Sequence, residues 1–166
     1  MRRMRSVILL GLLLSAIFLP GCSSAEPKGS SFYYCRKLSD YRYFEEQGVI
    51  RAESRDLTGH KNDLRYMVSL YLAGPMEEDL VSPFTNATML ISAELTDNKV
   101  YIELSGHNKI LTDSEFSLAC ACMTLTCMDY TSCESVTVVS GGRSVTMDAS
   151  SILLYDSLPL QETTGG

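Results

Sequence analysis

Met89-Leu90-Ile91-Ser92-Ala93-Glu94-Leu95-Thr96-Asp97-Asn98-Lys99-Val100-Tyr101-Ile102-Glu103-Leu104 decides the fold. Met89, Ile91, Ala93 and Leu95 alternate with Leu90, Ser92, Glu94 and Thr96. After Asp97-Asn98, Val100, Ile102 and Leu104 alternate with Tyr101 and Glu103. Period-two alternation on both sides of a two-residue turn predicts an antiparallel hairpin with one buried face.

Upstream, a helix is expected over Asn62 to Leu72. Leu64, Met67, Val68 and Tyr71 fall at i, i+3, i+4 and i+7 and make one apolar stripe. Asn62 or a neighbour caps it, and Gly74-Pro75 stops it. Downstream, Thr112-Asp113-Ser114-Glu115 is a capping box that opens a second helix running to about Tyr130. Val136 to Val139 and Val145 to Met147 flank Gly141-Gly142 as a second hairpin. Phe32-Tyr33-Tyr34 reads as a first strand, and Val49 to Leu57 as an edge strand. This order predicts an α+β fold: a small mixed sheet with two helices packed on one face.

The second helix is apolar on two sides. Phe116, Ala119, Cys120, Met123 and Cys127 form one stripe, and Leu118, Ala121, Leu125 and Met128 form another. Both must be covered. Two accounts stand for the second stripe: burial beneath the early part of the chain, or an interface with another copy or partner.

Residues 1–21 carry Arg2, Arg3 and Arg5, an apolar run from Val7 to Leu19, and small residues before Cys22. That is the layout of an export signal, and the run is shorter than the roughly 20 residues a membrane span needs. Leu19-Pro20-Gly21-Cys22 resembles the lipobox of bacterial lipoproteins, although Pro20 stands where a small residue is usual. The resemblance implies a diacylglyceryl Cys22 as the membrane anchor, on the extracytoplasmic face of the cell membrane. Two acyl chains suffice, at about 0.8 kcal/mol per buried CH₂. Cleavage near Ser23-Ser24-Ala25, releasing a soluble protein, is the competing reading. Residues 22–31 then form a flexible tether, 32–160 a single domain and 161–166 a disordered tail. Removing residues 1–21 takes away three arginines and no carboxylate, leaving 11 Lys and Arg against 20 Asp and Glu, a net charge of −9. Such a surface repels nucleic acid and anionic lipid.

At five places the chain resembles the GerMN domain of spore germination and sporulation proteins. Tyr71-Leu72-Ala73-Gly74-Pro75 resembles its helix-ending Leu-Ala-Gly-Pro, and Leu80-Val81-Ser82-Pro83 its approach to the first hairpin. The hairpin from Met89 to Ser105, Met123-Thr124-Leu125-Thr126 and Val136 to Gly141 follow in the family's order. The family's Pro-x-Gly-Thr is replaced by Thr85-Asn86-Ala87-Thr88, and its helical Asn by Met123. The resemblance spans about Leu64 to Met147. It implies an αββαβ-type module similar to ring-building domains, in a non-enzymatic protein held outside the membrane. Its partners would be another copy or another exported protein. No catalytic residue and no cofactor come with it.

The residues themselves offer little chemistry. Cys120 and Cys127 share a helical face, while Cys122 points about 200° away from Cys120, so the thiolates do not converge on a metal. Buried apolar thiols, or a disulfide among Cys35, Cys127 and Cys133, are the readings that remain. His60 and His107 are the only histidines. His107 beside Ser105 or Ser140 is a base–nucleophile pair on paper, without a nucleophile elbow. Glu77-Glu78-Asp79 lacks the spacing of a calcium loop, and the Asn86-Ala87-Thr88 acceptor pattern has no meaning on a bacterial protein. The runner-up function is a lipoprotein that captures a cell-wall fragment or small solute in a tyrosine-lined pocket.

Overall fold

The computed structural model describes residues 29–37 and 48–152. The expected signal, Cys22, most of the tether, the stretch 38–47, the segment 153–160 and the tail lie outside the described residues. The fold is α+β. Seven strands run in chain order as β1 (Ser30–Arg36), β2 (Ile50–Arg55), β3 (Leu80–Val81), β4 (Leu90–Thr96), β5 (Lys99–Leu104), β6 (Ser135–Ser140) and β7 (Arg143–Asp148). Helix α1 (Leu64–Leu72) precedes β3, and helix α2 (Asp113–Thr131) connects β5 to β6.

The expected single sheet is in fact two. β2-β1-β3 is antiparallel, and β4-β5-β6-β7 is mixed, with β5 and β6 parallel. Helix α1 packs on β4, and α2 packs on β6 and β7. The extra sheet arises because α2 is apolar all round: β1 covers the side that the four-stranded sheet leaves open. One core cluster runs from Phe32 and Tyr34 through Met67, Val68 and Tyr71 to Phe116, Met123, Val136 and Val138.

Local chemistry explains the element ends. The Asp63 side chain accepts from Tyr66 N and caps α1, and Gly74, at φ +96°, lets the chain leave it. Both halves of the Thr112/Glu115 capping box are made, and α2 ends on Ser132 in the left-handed region. Asp97 and Asn98, at φ 50° and 59°, turn the first hairpin. Gly141 and Gly142, at φ 61° and 87°, turn the second.

The first hairpin departs from its expected alternation. Val100, Ile102 and Leu104 on β5 are buried as read. On β4 a bulge between Leu90 and Ser92 breaks the phase, so Ile91 is the extra residue. Ala93 is buried, but Met89, Ile91 and Leu95 are 61%, 51% and 49% exposed. Three of the four expected core positions on this strand therefore face solvent.

Candidate functional site

The junction between β1 and α2 concentrates the long-range polar contacts. β2 pairs with β1 over Ser30 to Cys35, whereas β3 reaches only Cys35 and Arg36. Helix α2 occupies the rest of that second edge. Tyr33 N–H donates to Thr126 Oγ1 at 2.9 Å, and Ser31 N–H to Asp129 Oδ2 at 2.7 Å. The Tyr71 hydroxyl donates to Tyr33 O at 3.0 Å. A row of strand groups that would otherwise invite another chain is thus satisfied within the domain. Thr126 in turn donates to Cys122 O, while the fully buried hydroxyl of Thr124 has no partner.

At the end of β1, Cys35 Sγ lies 4.0 Å from Cys122 Sγ. Cys35 is half-buried and Cys122 fully buried. The hydrogen bond from Cys122 holds the Cys35 thiol below its ordinary value, against the opposing effect of burial. The same bond, with burial, pushes Cys122 upward. Cys120 sits across the helix, where burial pushes it up to about 12 with Arg143 opposing. Burial also raises Cys127. The helical geometry is as read from the sequence. The neighbour of Cys35, however, is Cys122 rather than Cys127 or Cys133.

A second cluster holds the chain after α1. Glu53 and Arg55 lie on one face of β2, are almost fully buried and form an ion pair. Arg55 Nη2 donates to Gly74 O at 2.7 Å, while Glu53 accepts from Met76 N and Glu77 N at 2.9 and 3.0 Å. Arg51 pairs with both Glu77 and Asp79, so the acidic loop is an ion-pair partner of β2 rather than a freely solvated run. Leu72, Ala73, Gly74 and Pro75 therefore end α1 where this clamp grips the chain. Sequence reasoning passed over Glu53 and Arg55. Charges at period two in Arg51-Ala52-Glu53-Ser54-Arg55 were the available signal.

The third cluster is buried and polar. Asn108 is wholly buried, accepts from Thr85 N and Thr88 Oγ1, and donates to Ser140 Oγ. Ser82 and Pro83 lead into it, half-buried, and the Thr85 to Thr88 turn that departs from the family pattern supplies two of its members. Ser105 Oγ does meet His107 Nδ1, at 2.9 Å. It also accepts from Met89 N, and Ser140 Oγ donates to Ser105 O. The pair fixes the end of β5 and the 3₁₀ turn Gly106–Ile110. No carboxylate among the described residues orients His107.

The second helix stripe is divided. Ala121 is buried and Met128 packs on the core, whereas Leu118 and Leu125 are half-buried and outside it. Thr124, beside Leu125, is fully buried. A cleft of about 250 Å³ is lined by Ser30, Asp56, Leu57, Thr58, Lys61 and Tyr130. Its one tyrosine uses its hydroxyl on His60 O and Asp63 N. No helix among the described residues is long and apolar enough to cross a membrane.

No protein-family model matches the chain, and no curated protein matches it. Among solved structures it is similar to the 2.5 Å crystal structure of a presumed lipoprotein from Clostridium perfringens. The identity is 16% and the TM-score 0.47, over 72% of this chain and 86% of that one.

Proposed function

We propose that this chain is an exported, lipid-anchored, non-enzymatic module that assembles with another copy of itself or with another exported protein at the outer face of the membrane. The anchor reading rests on Leu19-Pro20-Gly21-Cys22 behind a basic and apolar leader. The finer reading, a GerMN-type module serving sporulation or germination, rests on motif order rather than on a family match. The order α1-β3-β4-β5-α2-β6-β7 supports it, since apart from the two-residue β3 it contains the helix, two strands, helix and strand that the resemblance implies.

One observation carries the assembly reading. β4 is an edge strand, and among the described residues it has no strand on its outer side. It displays Met89, Ile91 and Leu95, which belong to no buried cluster. The strand groups of this edge are already guarded by the bulge at Ile91, by Glu94 and by Arg65, which donates to Ile91 O at 3.4 Å, so the surface on offer is the exposed apolar side chains. Leu118 and Leu125, half-buried and outside the core cluster, offer a smaller second surface.

The test is cross-linking of the full chain in isolated membranes. Cys22→Ser should release the protein from the membrane fraction. Ile91→Lys with Leu95→Lys should abolish the cross-linked species while leaving the melting temperature within a few degrees. Persistence of the cross-links refutes a β4 interface. Loss of cross-links in Leu118→Glu with Leu125→Glu, with folding retained, moves the interface to α2. Membrane retention of Cys22→Ser refutes the anchor.

A further inference from the structure

We propose that Cys35 and Cys122 form a disulfide-bonding site that takes a disulfide oxidant as its co-reactant and ties β1 covalently to α2. Four observations place the site. The sulfurs lie 4.0 Å apart, within a side-chain adjustment of bonding distance. One partner is half-exposed and the other fully buried, so an oxidant reaches the first while the second is held behind it. Among the described cysteines the Cys35–Cys122 pair is the one with its sulfurs in contact; Cys120, Cys127 and Cys133 are buried, and Cys133 influences Cys127 rather than Cys35. The two cysteines also join elements already fastened together by Thr126 and Asp129, so the bond would form in a preset geometry.

The two thiols divide the work. Cys35 is the thiol an incoming oxidant can reach, because it is only half-buried while Cys122 is fully buried, and the neighbouring Cys122 thiol can donate to it once it ionises. Its thiolate attacks one sulfur of an incoming disulfide, either a thiol–disulfide oxidoreductase or an oxidised low-mass thiol. A mixed disulfide on Cys35 forms, and the first leaving thiolate departs. Cys122 then loses its proton and attacks Cys35 Sγ, displacing the second leaving thiolate. The protein gives up two electrons and two protons and gains one S–S bond. The incoming disulfide is reduced to two thiols, which carry those protons.

The experiment uses the reduced full chain, folded, with oxidised glutathione as the oxidant. The reaction is quenched by alkylation in denaturant and mapped without reduction. The expected product is a Cys35 peptide linked to a Cys122 peptide, with Cys120, Cys127 and Cys133 alkylated. The folded product should melt higher by on the order of 10 °C and return to its starting value on reduction. Cys35→Ser should leave Cys122 alkylatable only in denaturant. Alkylation of both Cys35 and Cys122 after exhaustive oxidation overturns the proposal. So does a link from Cys35 to Cys127 or Cys133. Mapping of the unmutated chain decides the matter even where a variant folds poorly.

Discussion

Two threonines two residues apart on α2, Thr124 and Thr126, should respond oppositely to the same substitution. Thr126 Oγ1 accepts the Tyr33 N–H at 2.9 Å and donates to Cys122 O at 2.9 Å. Valine at 126 keeps the shape and the β-branching but leaves the Tyr33 amide on a closed edge with no acceptor. An unsatisfied buried donor costs about 1–3 kcal/mol, and Tyr33 is half-buried, so the loss should sit near 1–2 kcal/mol. Cys122 O keeps its helical partner, so nothing further is lost there. At Thr124 the hydroxyl is fully buried with no partner, and its desolvation is already suffered by the native protein. Thr124→Val should therefore be neutral or stabilising by up to about 1 kcal/mol. The assay is urea unfolding followed by circular dichroism, with equal slopes confirming that the folded states compare fairly. The midpoint should fall for Thr126→Val and hold or rise for Thr124→Val. Equal losses at both positions would refute the assignment of α2 as the cap of the β1 edge.

Glu53→Ala should cost about 3–5 kcal/mol, because it strands the buried Arg55 and frees two amides; thermal unfolding reads it. Cys120, raised to about 12 from 9.0, makes an alkaline contribution. Its stabilisation is fully present below pH 9 and is lost as pH rises toward 12, since the unfolded chain ionises first. Cys120→Ala should reduce the slope of stability against pH in that window. Glu115 is held below its ordinary carboxylate value by the Thr112 backbone and side-chain hydrogen bonds. Its cap contributes above about pH 4.5 and fades as pH falls through the lowered value, and Glu115→Gln should remove that dependence. In the reduced folded chain, limited iodoacetamide should label Cys35 before Cys120, Cys122, Cys127 or Cys133, as peptide mapping would show.

Periodic elements were legible and non-local ones were not. Helix α1, helix α2 with its capping box, and both hairpins declare themselves through local spacing and turn residues. The second sheet was hidden because β1 and β2 read only as strands without a stated partner and its third member is the two-residue β3. What pointed toward it was indirect: an α2 apolar on every side, which one sheet alone could not cover. The bulge at Ile91 was illegible because strict alternation continues through it in the sequence. Only pairing with Leu104 and Glu103 shows that one residue is extra. The Glu53–Arg55 clamp and the Asn108 network escaped for the same reason. Both depend on partners about 20 positions away, Met76 for Glu53 and Thr88 for Asn108, and the period-two charges of β2 show a shared face without showing that it is buried.

These features bear on the anchored reading together. The expected tether ends where β1 begins, so any force between an acylated Cys22 and the domain enters through β1. The strand is held on both sides, by its pairing with β2 and by Asp129, Thr126 and Cys122, which meet Ser31, Tyr33 and Cys35 at alternate positions, so detaching it breaks both sets of contacts. A covalent Cys35–Cys122 bond would carry load past the loop it closes, shielding residues 36–121. On the proposed anchored reading the three-stranded sheet would couple membrane to module, and β4, on the four-stranded sheet, would be left as the proposed partner edge.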